Sequence, residues 1–369
     1  MARLPYCNKG SFFVYGNQGY FTTSRAYIAN QPPAVFMLTS TVPYPLTIAG
    51  TGVALPRQWV SSVQLEQQQQ WPAGWCLRHT GVAGRYWAQP GEHISTLGAA
   101  ALRQALAAAN MLYEQLDLVI CGSATYDYPV PHNSCLIQQQ MGSSKPIPGW
   151  DIDATCLGFI TCLDVASRLL DGTRYRNIAI VCSEICSTSL NPADAETYAL
   201  MGDGAAAIIV SHCPNSQKGV LAAHMQTWPQ QALLTQVPAG GHVQHGLTQP
   251  PRQDYFFRME GTSLLKTALR HLKPFTQQLL QMAGLQLHQL SLIVPHQASL
   301  NGMQGYAKLM HIDPQILFTN IQQYGNTLSA SVGIALHEAL QTQKAVPGQT
   351  IMLIGTGAGF SIGGLVLQL

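Results

Sequence analysis

From Pro45 onward, short apolar runs alternate with segments of helical periodicity, and this alternation restricts the fold more than any other feature of the sequence. It predicts a short strand at 46–50, an Ala-rich helix from Ser95 to Leu112 and a buried strand at 116–121. Buried apolar strands that alternate with helices are typical of parallel sheets covered by helices on both faces. The sequence therefore predicts an α/β fold.

The chain also shows signs of an internal duplication. Three pairs of segments resemble each other: 116–122 and 290–296, 153–156 and 326–329, and 202–210 and 355–366. The first two pairs are offset by 174 and 173 residues and the third by 153, so only the first two share a spacing. Apolar strands resemble one another by composition alone, so the repeat is a hypothesis at this point. It divides the chain into an N-terminal extension at 1–45, a first half at 46–215 and a second half at 216–369.

Composition excludes several classes of protein. The 369 residues are 47% hydrophobic and only 10% charged, which excludes a disordered chain and favours a homo-oligomer whose partner covers part of the surface. The 19 Lys and Arg residues are dispersed among 17 Asp and Glu, so nucleic acid is not an expected partner. We expect neither a signal peptide nor a membrane span. An odd number of cysteines, nine, mostly within apolar segments, fits reduced thiols in the cytoplasm.

Three polar residues lie where a strand gives way to a helix or a turn. Cys156 falls between the extended segment 150–155 and a helical segment, and a thiol at a helix N-terminus is expected to be stabilised as thiolate by the backbone dipole. His296 follows the strand 291–295, and strand ends are where open α/β sheets carry their sites. Asn326 precedes a predicted helix. Taken singly, each has a structural alternative: a buried cysteine, a core histidine and a helix-capping asparagine.

Two other motifs do not support a site. Gly355-Thr-Gly-Ala-Gly has Phe360 where a dinucleotide fingerprint needs its third glycine, and only nine residues follow Phe360. Cys182 and Cys186 lack a second ligand pair at zinc-site spacing, so no metal site is expected.

Together these segments resemble the β-ketoacyl-ACP synthase III family of condensing enzymes over about residues 46–369. Asp151-Ile-Asp-Ala-Thr-Cys156-Leu-Gly-Phe looks like the family's nucleophile segment, and Val294-Pro-His-Gln-Ala like its histidine segment. Tyr324-Gly-Asn-Thr-Leu-Ser-Ala-Ser looks like the asparagine segment. Further matching stretches are Arg78-His-Thr-Gly-Val, Met201-Gly-Asp-Gly-Ala, Met259-Glu-Gly and Gly357-Ala-Gly-Phe.

The resemblance implies a duplicated thiolase fold of five layers, αβαβα, with βαβαβαββ-type halves, and a homodimer. It implies that Cys156 accepts an acyl group from a thioester, with the backbone N–H groups of Cys156 and Ala358 as the oxyanion hole. His296 and Asn326 would then stabilise the enolate of a malonyl-type thioester. Acyl-ACP or acyl-CoA would be the substrates, and no other cofactor is implied.

Departures from the family pattern bear on the substrate. Trp75 matches a tryptophan that stacks on CoA, but the two phosphate-binding arginines correspond to His79 and Ala195, so an ACP-bound donor is expected rather than CoA. Val130 takes the place of a phenylalanine that closes the acyl tunnel across the dimer interface, which predicts a longer acyl chain. Phe360, with Trp75 and Val130, is expected at the tunnel or its entrance.

An acidic carrier protein needs a basic surface on which to dock. Candidate residues are Arg258, Lys266, Arg270 and Lys308, with Lys273 further along the same predicted helix face as Lys266 and Arg270. Their alternative interpretation is an ordinary solvated helix face.

The sequence thus predicts a ketosynthase that performs a Claisen condensation in fatty-acid-like or specialised-metabolite biosynthesis, for example of a dialkylresorcinol or cyclohexanedione precursor. Two alternatives remain open: an acyltransferase of the same fold acting on an alcohol or amine, and a non-catalytic partner subunit of a ketosynthase.

Overall fold

The computed structural model describes residues 43–214 and 216–369. The predicted extension at 1–45 lies almost entirely outside these residues. The strands are β1 (Tyr44–Ala54), β2 (Gln58–Ser61), β3 (Gly84–Trp87), β4 (Leu118–Cys121), β5 (Gly149–Asp151), β6 (Asn177–Glu184), β7 (Gly204–His212), β8 (Gly219–Thr227), β9 (Thr235–Gln236), β10 (Arg258–Met259), β11 (Leu292–Pro295), β12 (Thr350–Gly357) and β13 (Ser361–Gln368). The helices are α1 (Ser62–Gln69), α2 (Trp75–Thr80), α3 (Ile94–Ala108), α4 (Asn133–Met141), α5 (Gly158–Leu169), α6 (Ala195–Leu200), α7 (Gly261–Met282), α8 (Leu300–Met310), α9 (Ile321–Tyr324) and α10 (Ala330–Gln341).

Nine of these strands form one continuous sheet in the order β11-β12-β13-β8-β1-β7-β6-β4-β5. Its two halves meet where β1 pairs with β8 in antiparallel register, Tyr44 opposite Val220 and Pro45 opposite Gly219. On one side of this junction β4 lies parallel to β6, and on the other β11 lies parallel to β12. The expected parallel strands are therefore present, next to antiparallel pairs at the centre.

The strand order confirms the duplication. In each half an antiparallel trio is followed by a parallel strand, β1-β7-β6-β4 in the first and β8-β13-β12-β11 in the second. β4 and β11 begin 174 residues apart, and β6 and β12 begin 173 apart, as the first two segment pairs predicted. The third pair was partly misaligned, because its second member starts within β12 and reaches β13 only at Ser361. The predicted boundary between the halves falls in the connection from β7 to β8.

The helices form three layers around the two half-sheets. α3 packs on β1, β6 and β7 on one outer face, and α7 packs on β8 and β13 on the other. α5 and α10 pack against each other and contact strands of both halves, so they form the central layer. Their apolar faces contribute to the largest buried cluster, which includes Phe159, Leu163, Ile334 and Leu336. The observed layers are thus α, β, α, β, α.

Some predicted boundaries were wrong. The helix expected from Ser95 to Leu112 ends at Ala108, because Asn110 adopts a left-handed conformation with φ of 52°. The strand expected at 46–50 is longer, Tyr44–Ala54, since it pairs with β7 along most of its length.

Within residues 43–214 and 216–369, no helix is long and apolar enough to cross a membrane. The same residues contain no group of three or more His, Cys, Asp or Glu side chains placed to hold a metal ion.

Candidate active site

Cys156 lies on a tight connection between β5 and α5. A short 3-10 turn, Thr155–Leu157, contains it, and α5 starts two residues later at Gly158. Gly158 is required here, because a Cβ at this position would lie 1.8 Å from the carbonyl oxygen of Gly122. The turn is thus packed directly against Gly122, the residue that follows β4. This contact fixes Cys156 just before the first residue of α5.

The surroundings of Cys156 favour the neutral thiol in the resting protein. Burial, and secondarily the carboxylate of Glu184, raise the pKa of Cys156 to about 12. The backbone N–H groups of Ala358 and Cys156 lie beside the sulfur and lower this pKa, but burial dominates. The effect is opposite in direction to the expectation of a dipole-stabilised thiolate, so the thiol must lose its proton when it reacts. The two amides are also the pair predicted to form the oxyanion hole.

His296 follows β11 directly and is 4% exposed. Its backbone N–H donates to the carbonyl oxygen of Ile354, which holds it beside β12. Its Nδ1 lies 2.6 Å from Ser331 Oγ on α10, so Nε2 is the ring nitrogen left for the cavity. Burial lowers the pKa of His296 to about 4, and the imidazole is therefore neutral near pH 7. A neutral ring can accept or donate a proton at Nε2, depending on its tautomer.

Asn326 is held in a fixed orientation at the junction of the two halves. Its N–H donates to Leu200 O at 2.9 Å, and its carbonyl accepts from Gly202 N–H at 3.0 Å. Its side-chain Oδ1 accepts from Leu328 N–H at 2.9 Å. This contact directs Nδ2 away from the turn, where its nearest acceptor is Ala298 O at 3.4 Å. Nδ2 is thus available as a hydrogen-bond donor to a bound substrate.

Three non-glycine residues with left-handed backbone lie next to these groups. Thr155 (φ 50°) precedes Cys156, Leu328 (φ 48°) follows Asn326 by two positions, and Phe360 (φ 36°) follows Ala358 by two positions. Such conformations cost of order 1–3 kcal/mol and are concentrated at functional sites. No residue type or motif in the sequence indicates this strain.

One cavity of about 500 Å³ brings the predicted site residues together. Cys156, His296, Asn326, Ala358 and Phe360 all line it, although they come from separate connections in the two halves. The cavity is predominantly apolar, and it continues between α7 and α8. The arrangement can hold an acyl thioester with its carbonyl carbon at the sulfur and its oxygen at the two amides.

Two predicted tunnel residues do not line this cavity. Trp75 stacks on His79 with ring centroids 4.2 Å apart and an interplanar angle of 17°, and it is His79 that contacts the cavity. Val130 is 85% exposed on the surface of the chain. The prediction that Val130 reaches a tunnel across a dimer interface concerns a partner subunit and stays a prediction.

The predicted docking residues differ in availability. Lys266 and Arg270 are exposed on α7, and Lys308 is exposed on the adjacent α8. Within the described residues, none of the three forms an ion pair. Arg258 is already paired with Asp254, so it contributes less free positive charge than the sequence suggested.

A buried carboxyl group near the nucleophile was not among the residues predicted from the sequence. Glu184, at the end of β6, accepts hydrogen bonds from the N–H groups of Ala124 and Thr125 and from the hydroxyls of Thr125 and Ser329. Burial raises its pKa to about 7, although these hydrogen bonds lower it. A Glu at the end of an apolar strand was the one available signal.

Comparison with known proteins gives a consistent result. Residues 150–229 match the family model described as 3-oxoacyl-[acyl-carrier-protein] synthase III, and residues 280–369 match the model of its C-terminal region. The β-ketoacyl-[acyl-carrier-protein] synthase III of Aquifex aeolicus is 32% identical over 321 residues, which are 87% of this chain and 98% of the relative. That of Roseiflexus castenholzii is 33% identical over 325 residues, 87% and 97% of the two chains.

Solved structures agree. The Aquifex aeolicus enzyme superposes with a TM-score of 0.80 at 31% identity, covering 88% of this chain and 100% of that one. The priming β-ketosynthase of the R1128 polyketide pathway superposes with a TM-score of 0.80 at 26% identity, covering 88% and 96%. The five-layer thiolase fold implied by the resemblance is therefore confirmed.

Proposed function

Because the chain belongs to the β-ketoacyl-ACP synthase III family of condensing acyltransferases, we propose that Cys156 accepts an apolar acyl group from an acyl carrier protein. The acyl group is then condensed with a malonyl-type or β-ketoacyl thioester. The observation that carries this proposal is that Cys156, His296, Asn326 and Ala358 line the same predominantly apolar cavity. The reaction needs no cofactor beyond the thioesters themselves.

In the first stage the sulfur of Cys156 adds to the thioester carbonyl carbon. The resulting oxyanion accepts hydrogen bonds from the N–H groups of Cys156 and Ala358, and its collapse expels the carrier thiol. With the pKa of Cys156 raised to about 12, a base must take the thiol proton. Neutral His296 acts as this base in the tautomer whose Nδ1–H donates to Ser331 Oγ and whose Nε2 is unprotonated. His296 then returns this proton from Nε2 to the carrier thiolate as it leaves.

In the second stage a malonyl-type thioester loses carbon dioxide, and the electron pair of the broken C–C bond forms an enolate. Nε2–H of His296 and Nδ2–H of Asn326 donate to the enolate oxygen. This step uses the other imidazole tautomer, in which the Ser331 hydroxyl donates to Nδ1. The enolate carbon then attacks the acyl carbonyl carbon, and collapse of the tetrahedral intermediate breaks the C–S bond to Cys156 and releases the β-ketoacyl product. The expelled Cys156 thiolate takes one proton from solvent water and returns to the neutral thiol.

An ACP-bound donor is favoured over CoA by the cavity entrance. One face of Trp75 is covered by the ring of His79, so only the other face could stack on an adenine. Ala195 offers no phosphate ligand, and the neighbouring Glu196 places a carboxylate at the cavity edge. Arg78 is the one arginine among the residues that line the cavity, so a nucleotide diphosphate would find a single guanidinium there and no second one. Lys266, Arg270 and Lys308 are exposed on α7 and α8, two helices that also line the cavity, and their positive charges are suited to an acidic carrier.

A homodimer is part of the proposal. Tyr126, Tyr128 and Val130 are 59%, 58% and 85% exposed, and three such apolar side chains within five residues form a patch suited to a partner surface. Sedimentation equilibrium should give twice the mass of one chain, and Val130→Asp should shift the protein toward monomer.

Intact-protein mass spectrometry tests the function. Wild type and Cys156→Ala are incubated with panels of acyl-ACP and acyl-CoA of increasing chain length. We expect an acyl adduct on the wild type only, formed faster from acyl-ACP, and a β-ketoacyl product once malonyl-ACP is added. Transfer to an alcohol or amine without C–C bond formation would identify the acyltransferase alternative. The absence of any adduct would identify the non-catalytic subunit.

Carrier docking is tested separately. The double change Lys266→Glu and Arg270→Glu should raise KM for acyl-ACP at low salt and leave acylation by a small acyl thioester lacking the carrier unchanged. Equal effects on both donors would refute docking at α7.

A further inference from the structure

A buried carboxyl group links the two halves near Cys156. Glu184 is 0% exposed, and among the described residues no Lys, Arg or His forms an ion pair with it. It accepts hydrogen bonds from Ala124 N–H at 2.7 Å, from Thr125 N–H at 3.0 Å, from Thr125 Oγ1 at 2.6 Å and from the hydroxyl of Ser329. Burial without a cation is costly for a carboxyl group, so these bonds must compensate for it. Of the four, the bond from Ser329 is the one that crosses between the halves.

Both oxygens of Glu184 are bonded to backbone donors. Oε1 accepts from Ala124 N–H and from Ser329, and Oε2 accepts from the N–H and the hydroxyl of Thr125. Glutamine has one acceptor oxygen, and in either orientation its NH2 group would face a backbone N–H. A change of Glu184 would therefore disturb Ala124 and Thr125 as well as Ser329. The contact between the halves is better tested from the side of Ser329.

Ser329 uses its hydroxyl for Glu184 and not for its own helix. It is the N-cap residue of α10, a position where serine is favoured because its oxygen accepts a backbone N–H of the first turn. The side chain of Ser329 makes no such bond, and its backbone is helical, with φ of −63° and ψ of −30°. The side chain is also fully buried. The contact with Glu184 therefore satisfies a hydroxyl that would otherwise be buried without a partner.

The turn before Ser329 is strained, and it carries Asn326. Leu328 has a left-handed backbone with φ of 48°, and its N–H donates to Asn326 Oδ1 at 2.9 Å. That bond leaves Nδ2 of Asn326 free for a substrate. A strained conformation of this kind persists only where its surroundings hold it. Before the turn, Asn326 N–H donates to Leu200 O, and after the turn, Ser329 is bonded to Glu184.

We propose that Glu184 is a positioning residue for the condensation. Through the Ser329 hydroxyl it holds the turn at Leu328, and the turn directs Nδ2 of Asn326 to the enolate oxygen. Neither Glu184 nor Ser329 lines the cavity, so neither touches a bound thioester. The proposal rests on the proposed function and adds to it a residue that acts on the enolate only through Asn326.

The two stages of the reaction should respond differently when this contact is lost. In the proposed function the first stage uses Cys156, His296 and two backbone N–H groups, whereas Asn326 donates only in the second stage. Release of the turn at Leu328 should therefore slow condensation and leave acylation near the wild-type rate. A general loosening of the core would slow both stages.

Ser329→Ala is the test variant, and Thr125→Val is its matched control. Ser329→Ala removes the hydrogen bond that reaches Glu184 from the second half. Thr125→Val also removes one hydrogen bond to Glu184, together with the bond of 3.2 Å that Ile185 N–H donates to Thr125 Oγ1. The control thus loses more hydrogen bonds but keeps the contact with the turn of Asn326. Urea unfolding shows that each variant is folded.

Each stage is measured by itself in single-turnover experiments. Acylation is followed as the mass increase of Cys156 with acyl-ACP. Condensation is followed by mixing the acylated enzyme with malonyl-ACP or a β-ketoacyl-ACP, whichever the wild type condenses faster. We expect Ser329→Ala to slow condensation about tenfold and acylation less than about twofold, because a small misplacement of a donor has a large kinetic effect. Thr125→Val should leave the ratio of the two rates unchanged.

A double-mutant cycle with Asn326→Ala tests whether Ser329 acts through Asn326. Asn326→Ala alone removes the donor and should slow condensation about a hundredfold. Adding Ser329→Ala should then slow condensation by less than about a further twofold, because no Nδ2 is left to misplace. A full additional tenfold loss would mean that Ser329 acts by another route and would overturn the proposal.

Three other results would also overturn it. These are wild-type condensation in Ser329→Ala, equal slowing of both stages by Ser329→Ala, and the same change of the rate ratio in Thr125→Val. A wild type that forms no Cys156 adduct, or an adduct that condenses with neither thioester, is a different result. It would refute the proposed function, and the positioning role of Glu184 with it.

Discussion

The buried, neutral His296 leads to a quantitative prediction about stability. Its pKa falls from 6.5 to about 4 on folding, because burial removes the imidazolium from water. Between these values the unfolded chain binds a proton that the folded protein does not. The free energy of unfolding therefore falls as the pH falls through this range, and the loss is absent above about pH 7.

The size of the effect follows from the two pKa values. Over the whole pH range in which His296 titrates, the free energy of unfolding falls by about 3 kcal/mol. About 2 kcal/mol of this fall occurs between about pH 7.5 and pH 5. His296→Asn removes the titrating ring. Wild type should therefore lose about 2 kcal/mol more than His296→Asn over that interval, whatever constant difference the substitution causes at high pH.

Urea unfolding curves are measured for wild type and His296→Asn at several pH values, with the same protein concentration throughout. They give the difference in free energy of unfolding between the two proteins at each pH. Buried Glu184 titrates in the same range with the opposite sign, since its pKa is raised to about 7, but it is present in both proteins and cancels in the comparison. A difference that is constant with pH would refute the conclusion that His296 is buried and neutral.

Three further outcomes follow from the site. Ser331→Ala should slow acylation and condensation about tenfold each, the kinetic equivalent of roughly 1.4 kcal/mol, because Nδ1 of His296 loses its hydrogen-bond partner. The same change should leave ACP binding, measured by titration, unchanged. Gly158→Ala should destabilise the fold by more than 3 kcal/mol in urea unfolding, because its Cβ would overlap the Gly122 carbonyl, and wild-type stability would contradict the geometry of the turn. Val130→Phe should shift the acyl preference toward short chains in the adduct assay, and an unchanged profile would count against a tunnel across the dimer interface.

The sequence predicted the parts of this molecule that depend on local pattern. The apolar runs of β4 and β11 and their offset of 174 residues suggested a duplication, and the family resemblance then predicted the duplicated fold. Cys156, His296 and Asn326 could be recognised because each lies within a short segment that resembles a known family. Their meeting in one cavity follows from the symmetry of the two halves.

Features that depend on tertiary contacts could not be predicted. Ser331 reaches His296 across 35 residues, and Ser329 reaches Glu184 across 145. Neither pair has a sequence signal. The same holds for the direction of the Cys156 pKa, since a position at a helix start says nothing about how deeply the sulfur is buried. The left-handed Asn110 that ends α3 was likewise hidden within an Ala-rich run.

One site lies between two similar halves. The halves are joined by the antiparallel pairing of β1 with β8 and by the packing of α5 against α10. The first half supplies Cys156, and the second supplies His296, Asn326 and Ala358. At the position equivalent to Cys156 the second half carries Ser329, which instead anchors Glu184. Expressed as separate polypeptides divided between β7 and β8, the modern halves should be inactive alone and regain acylation when they reassociate.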